Sequence, residues 1–102
     1  MKKITLLFLM YVLLGCGGSS EGAISNSNRY YAKGDYEKAI AKSLDALRSH
    51  EYTEEAEAEL NYIIAQSHEK IGELDKSIEL HKYIVTKFPN TKVAILSKTE
   101  IK

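Results

Sequence analysis

Three histidines, His50, His68 and His81, are the side chains of this 102-residue sequence best suited to acid–base chemistry or metal binding. A zinc site needs three or four converging ligands, and the sequence offers neither a cysteine pair nor an HExxH spacing. If His68 and His81 face each other across a helical hairpin, they could form a pH-sensitive contact or a two-ligand metal site. The favoured alternative is that they are core or half-buried imidazoles whose hydrogen bonds are satisfied.

Five glutamates between positions 51 and 59 supply a second concentration of polar groups, but they lack the alternating spacing and the glycine of a calcium loop. Negative charge in the first turn of a helix is stabilised by the helix dipole, so these residues predict the start of a helix. No glycine-rich phosphate loop or nucleophile elbow is present in the sequence. We therefore expect no enzymatic activity, no cofactor and no metal site.

Cys16 is the only cysteine and cannot form a disulfide within the chain. It follows Lys2-Lys3 and an apolar run from Ile4 to Leu14, which together have the anatomy of a secretory signal peptide. As a helix this run would be about 16 Å long, whereas spanning a bilayer takes about 20 residues. The end of the run, Leu13-Leu14-Gly15-Cys16, resembles the lipobox of bacterial lipoproteins.

This resemblance implies that residues 1–15 are a signal peptide and that Cys16 becomes an acylated first residue, carrying chains such as palmitate. One acyl chain binds a membrane only marginally, so the several chains of this family would anchor the protein durably. Residues 16–22, rich in Gly and Ser, are interpreted as a flexible tether. In the sorting pattern of this family, Gly17 after the cysteine, with no acidic residue beside it, does not favour retention in the inner membrane, so the outer membrane of the cell envelope is expected in preference to the inner. A cleaved signal peptide with an incidental cysteine is the alternative.

A repeat organises the remaining residues, 23–102. Residues 34–40 and 72–78 share the order Gly, acid, apolar, acid, Lys, small, Ile at an offset of 38. Helical spacing of apolar residues predicts two helices in each half, with Gly34 and Gly72 ending the first helix of each pair. A fifth helix is predicted from Val93 to Ile101, with Thr91 as its N-cap. The predicted fold is therefore all-α.

The repeated unit resembles the tetratricopeptide repeat, a helix-turn-helix motif. The residues that carry the resemblance are Tyr30, Gly34, Tyr36, Ala39, Ala46 and Leu47 in the first unit, and Ile64, Ala65, Gly72, Leu74 and Pro89 in the second. The offset of 38 exceeds the usual repeat length, which predicts an early start of the third helix near Thr53. The resemblance implies two tetratricopeptide-like hairpins followed by a short C-terminal helix.

In this family the first helix of each pair lines a concave binding surface. Carrying those positions across gives a predicted partner-binding groove that is polar and aromatic, formed by Asn28, Tyr31, Tyr62, Gln66, Glu69 and Lys70. A solvated helix face without a ligand is the alternative. The balance of 14 basic and 14 acidic side chains, with no basic block, argues against nucleic-acid binding.

Two hypotheses for the function follow. In the first, the protein is a lipid-anchored, non-catalytic protein–protein interaction module of the bacterial cell envelope that recruits a protein or peptide segment through its groove. In the second, it is a structural lipoprotein that self-associates or completes a larger envelope complex without a separate ligand. Repeat arrays usually need three or more units, so a short array of two is expected to be completed by a partner or a second copy.

Overall fold

The computed structural model describes residues 19–101, and every regular element in this range is an α-helix. In chain order the helices are α1 (Ser19–Ala32), α2 (Tyr36–Ser49), α3 (Glu54–Lys70), α4 (Leu74–Lys87) and α5 (Lys92–Ile101). The prediction of two helical hairpins followed by a short C-terminal helix is confirmed. Cys16 and the predicted signal peptide lie outside the described residues, and α1 already includes the last residues of the segment interpreted as a tether.

Helix α3 lies at the centre of the molecule and packs against all four other helices. It pairs with α4 across a short turn, as α1 pairs with α2, and it also contacts α1, α2 and α5. This position explains why α3 contributes more buried side chains than any other described helix. It also means that α3 sets the position of the first hairpin relative to α5.

The turns after α1 and α3 have the same geometry. Gly34 and Gly72 have φ angles of 85° and 88°, a left-handed conformation that favours glycine. In the first turn, Gly34 N donates to Tyr31 O and Asp35 N to Tyr30 O, which is a Schellman motif. The equivalent bonds, displaced by 38 residues, close the second turn. The repeat that is visible in the sequence is therefore also a repeat of backbone structure.

The extra length between the two units lies at the start of α3. Thr53 caps this helix by accepting a 3.2 Å hydrogen bond from Ala56 N. Glu54, Glu55 and Glu57 occupy its first turn, where their charge complements the helix dipole. The early start predicted near Thr53 is thus confirmed, and it gives α3 17 residues against 14 in α1.

The core contains most of the residues that the helical periodicity placed there. Side chains that are at most 2 % exposed include Leu60, Ile84 and Phe88, together with the small residues Ala39 and Ala65 that allow close helix approach. Leu44, Ile71 and Leu74 share the helical spacing of apolar residues, which predicts that they are buried, but the three residues are 39 %, 38 % and 55 % exposed. The prediction is wrong for these three because the neighbouring helices leave their side chains partly open to solvent.

The start of α5 differs from its prediction. The Thr91 hydroxyl donates a 2.8 Å hydrogen bond to Phe88 O and does not act as an N-cap acceptor. Instead, Lys92 N donates to the Glu55 carboxylate at 3.0 Å. A carboxylate from α3 therefore satisfies a free N–H group at the start of α5, and it complements the positive end of this helix.

Candidate functional site

A cleft of about 110 Å³ opens between α1 and α3. Four residues of the predicted groove line it: Asn28 and Tyr31 from α1, and Tyr62 and Gln66 from α3. Ile63 contributes the remaining lining and is itself buried, at 5 % exposure. The structure therefore brings together side chains that are more than thirty positions apart in the sequence.

Both tyrosines of the cleft are held by a second aromatic ring. Tyr31 packs edge-to-face on Tyr36, with ring centroids 5.3 Å apart and an interplanar angle of 67°. The left-handed turn at Gly34 makes this contact possible because it returns the chain against the end of α1. Tyr62 packs on His81 in the same manner, at 5.5 Å and 66°. These contacts limit the rotamers of the two rings and so pre-organise the walls of the cleft.

One residue of the cleft wall carries an unsatisfied hydrogen-bond acceptor. Gln66 Oε1 is buried and has no hydrogen-bond partner among the residues described. A buried carbonyl oxygen without a donor costs free energy, and an incoming N–H group would recover it once a change of the Gln66 rotamer exposes the oxygen. Asn28, exposed on the opposite wall, offers a second amide. Two amides between two tyrosines can bind an extended backbone by hydrogen bonds and an apolar side chain by contact.

The other two residues of the predicted groove do not line the cleft. Glu69 and Lys70 are exposed near the end of α3, beyond Gln66. The Glu69 carboxylate still acts on the cleft through its charge, since it contributes to a raised pKa of the Tyr62 phenol. Burial is the largest cause of this raised pKa, followed by Glu100, Tyr31 and Glu69.

His81 lies behind Tyr62 and is 1 % exposed. Its Nδ1 shares a 2.8 Å hydrogen bond with Ser97 Oγ of α5, whereas Nε2 is buried without a partner in residues 22–101. Burial lowers the pKa of His81 below its ordinary value of 6.5, and the smaller effects of Glu100 and Glu69 oppose this shift. His81 therefore connects the packing of α5 to the wall of the cleft.

We expect the protein to lose stability as the pH falls below about 6.5. Because the folded-state pKa of His81 is lower than that of the unfolded chain, protons bind the unfolded state first. The contribution of His81 to the free energy of unfolding is thus fully present above about pH 6.5 and is lost as the pH falls toward the folded-state pKa of His81. Urea unfolding of the full chain at pH 7.5 and pH 5.5 measures this loss. His81→Asn, which keeps a hydrogen-bonding group for Ser97 but does not titrate, should reduce the pH dependence, and an unchanged dependence would contradict the assignment.

The hypothesis of a contact between His68 and His81 receives no support from their hydrogen bonds. His68 Nδ1 lies 2.6 Å from Glu73 Oε1, at the turn between α3 and α4. His81 bonds to Ser97 instead, as described above, and each imidazole has its own neighbours. Within residues 19–101, no three His, Cys, Asp or Glu side chains are grouped so that they could hold a metal ion.

Two residues that act on Tyr62 of the cleft, His81 by packing and Glu100 by its charge, were not identified from the sequence in this role. His81 was interpreted only as a core or paired histidine, and Glu100 carried no signal because its position depends on how α5 packs.

None of the helices between residues 19 and 101 is long and apolar enough to cross a membrane. No protein-family model, curated protein or solved structure matches this chain.

Proposed function

We propose that this protein is a lipid-anchored, non-catalytic interaction module of the bacterial cell envelope that binds an extended protein segment in the cleft between α1 and α3. The observation that carries the proposal is the pair of pre-organised tyrosines, Tyr31 and Tyr62, with the unpartnered Gln66 Oε1 beside them. Tyrosine supplies contact area at a low cost in conformational entropy, and the amides supply backbone hydrogen bonds. Acylation at Cys16 would hold this cleft beside a membrane, the outer membrane in preference to the inner.

The repeated hairpins are consistent with this proposal. Tandem helical hairpins present concave surfaces built from the first helix of each pair, and the cleft is lined only by α1 and α3, which are those helices. The resemblance to tetratricopeptide repeats supports the same surface through residues such as Gly34 and Gly72. The proposal includes no catalytic step, no cofactor and no nucleic acid.

Tyr31→Ala and Tyr62→Ala should each weaken partner binding about tenfold or more, since truncation of a central tyrosine typically costs more than 1 kcal/mol. The experiment is a pull-down of envelope proteins with the immobilised full chain in mild detergent, followed by titration of the recovered partner. Tyr83→Ala is the matched control because Tyr83 is 43 % exposed on α4 and does not line the cleft. Circular dichroism verifies that each variant is folded.

A specific observation favours the second candidate function, a structural lipoprotein that self-associates. Ile95 and Leu96 of α5 are 65 % and 48 % exposed, and both lie on the face of α5 that is turned away from the buried Ala94 and Ser97. If the second candidate is correct, both cleft variants should retain normal recovery and the full chain should sediment as an oligomer. Loss of recovery with the cleft variants alone supports the first candidate.

A further inference from the structure

The exposed end of the cleft is acidic on its α3 side. Tyr62, Gln66 and Glu69 are spaced by four and three residues, so they lie on one face of α3. Glu69 therefore follows the two cleft residues along the same face, about one turn beyond the lining of the cleft. Lys70 is its neighbour in sequence, but adjacent residues on a helix do not face each other.

Helix α5 adds a second carboxylate at the same place. Ser97 of α5 shares a hydrogen bond with His81, and the His81 ring packs on Tyr62. Glu100 follows Ser97 by three residues and lies on the adjacent turn of α5. The packing of α5 on α3 and α4 thus places Glu100 one turn beyond the residue that bonds to His81. Its charge raises the pKa of the Tyr62 phenol, as does that of Glu69, although the two carboxylates come from different helices.

No basic side chain in the described part of the chain forms an ion pair with Glu69 or Glu100. The ion pairs in that part are Arg48–Asp45, His68–Glu73 and Lys76–Glu73, and none includes Glu69 or Glu100. Both carboxylates raise the pKa of the Tyr62 phenol, and no basic group contributes to that shift. The negative charge near Tyr62 is therefore available to a ligand.

Three features therefore occur together at this end of α3: the aromatic ring of Tyr62 in the cleft, the buried amide oxygen of Gln66 that lacks a donor, and two carboxylates without basic partners among the described residues. A cation can bind the face of a tyrosine and gains further from nearby carboxylates. An acidic segment would be repelled by the same two carboxylates. Gln66 Oε1 adds an acceptor for a backbone or side-chain N–H, which a basic segment also supplies.

We infer that the cleft selects an extended protein segment with a lysine or arginine side chain, which binds beside Tyr62 next to the carboxylates of Glu69 and Glu100. This inference rests on the proposed function, because it specifies the chemistry of the partner at the same site. The basic side chain provides selectivity, and the contacts with Tyr31 and the cleft amides provide the remaining affinity.

The experiment uses random decapeptides displayed on phage, selected against the immobilised full chain in mild detergent. The selected peptides should be enriched in lysine and arginine at one position. Glu69→Gln combined with Glu100→Gln should weaken binding of a selected peptide about tenfold, as the loss of two partly screened charge pairs implies. Glu51→Gln combined with Glu54→Gln, which removes two charges near the start of α3 outside the cleft, is the matched control and should change binding little.

The possible outcomes separate this inference from the proposed function. The inference and the proposed function are both supported if three results are found together. The selected peptides are enriched in basic residues, Tyr62→Ala abolishes their binding, and the Glu69/Glu100 double variant weakens it while the control does not. Peptides that depend on Tyr62 but show no basic preference and no effect of the double variant overturn the inference and leave the proposed function standing. A failure to select any peptide that depends on Tyr62 overturns both.

Discussion

Leu60→Ala should lower the free energy of unfolding by about 2–5 kcal/mol, the typical cost of removing a buried leucine and leaving a cavity. Leu60 is fully buried in α3, the helix that contacts all the others, so little of the cavity can be relieved by local collapse. Domains of this size are stabilised by about 5–15 kcal/mol in total. The substitution should therefore remove a large share of the stability of the fold.

Leu74→Ala is the matched control because it makes the same chemical change at a side chain that is 55 % exposed. It should lower the free energy of unfolding by about 0.5 kcal/mol or less, the usual effect of a substitution at an exposed position. Chemical denaturation of the full chain in a non-denaturing detergent, followed by circular dichroism, compares the two variants directly. Equal losses for the two leucines would contradict the central position of α3.

The contrast between these leucines shows what periodicity can and cannot predict. Both lie in apolar patterns with helical spacing, and the helices themselves were predicted correctly because such spacing is a local property. Exposure is not local: it depends on whether another helix covers the face in question. Leu60 is fully buried in the helix on which all the others pack, whereas Leu74, at the start of α4, is more than half exposed.

The turns were predictable for a different reason. Gly34 and Gly72 occupy left-handed positions that few other residues adopt, so a glycine after a helical pattern is a direct sign of a helix end. Thr91 illustrates the opposite case. Its hydroxyl was expected to cap α5, but it donates to Phe88 O. Lys92 N, at the first position of α5, donates to Glu55, which lies 37 residues before it. A partner from so distant a part of the chain cannot be recognised in the local sequence.

The cleft was predictable from the sequence only in part. The resemblance to tetratricopeptide repeats predicted that Asn28, Tyr31, Tyr62 and Gln66 line a groove, and the structure brings these four side chains to one cleft. The charge that acts on Tyr62 depends in part on Glu100, which comes from α5 and lies outside the two hairpins. The resemblance thus supplied the walls of the cleft, whereas the charge around it required the position of the fifth helix.

Cys16→Ser should abolish acylation of the protein completely. The lipid of a bacterial lipoprotein is attached through a thioether, and the serine hydroxyl cannot replace a thiol in that bond. Cys16 is also the only thiol of the chain, so no second site can substitute for it. The expected result is complete loss of incorporation of an alkyne-labelled palmitate during growth of a bacterial host, with the unsubstituted chain labelled under the same conditions.

The position of the thiol is tested by a matched variant that combines Cys16→Ser with Gly18→Cys. It retains one cysteine but moves it two residues further along the chain, so that Gly15 and no longer a leucine lies three positions before it. Labelling should be lost there as well if the lipobox resemblance is correct, because the leucine of the motif is no longer in register with the cysteine. Mass spectrometry of the unsubstituted chain should find residues 1–15 removed and the mass of acyl chains added at residue 16. A chain cleaved elsewhere with an unmodified thiol would instead identify an ordinary signal peptide, and the cleft between α1 and α3 would then act without a lipid anchor.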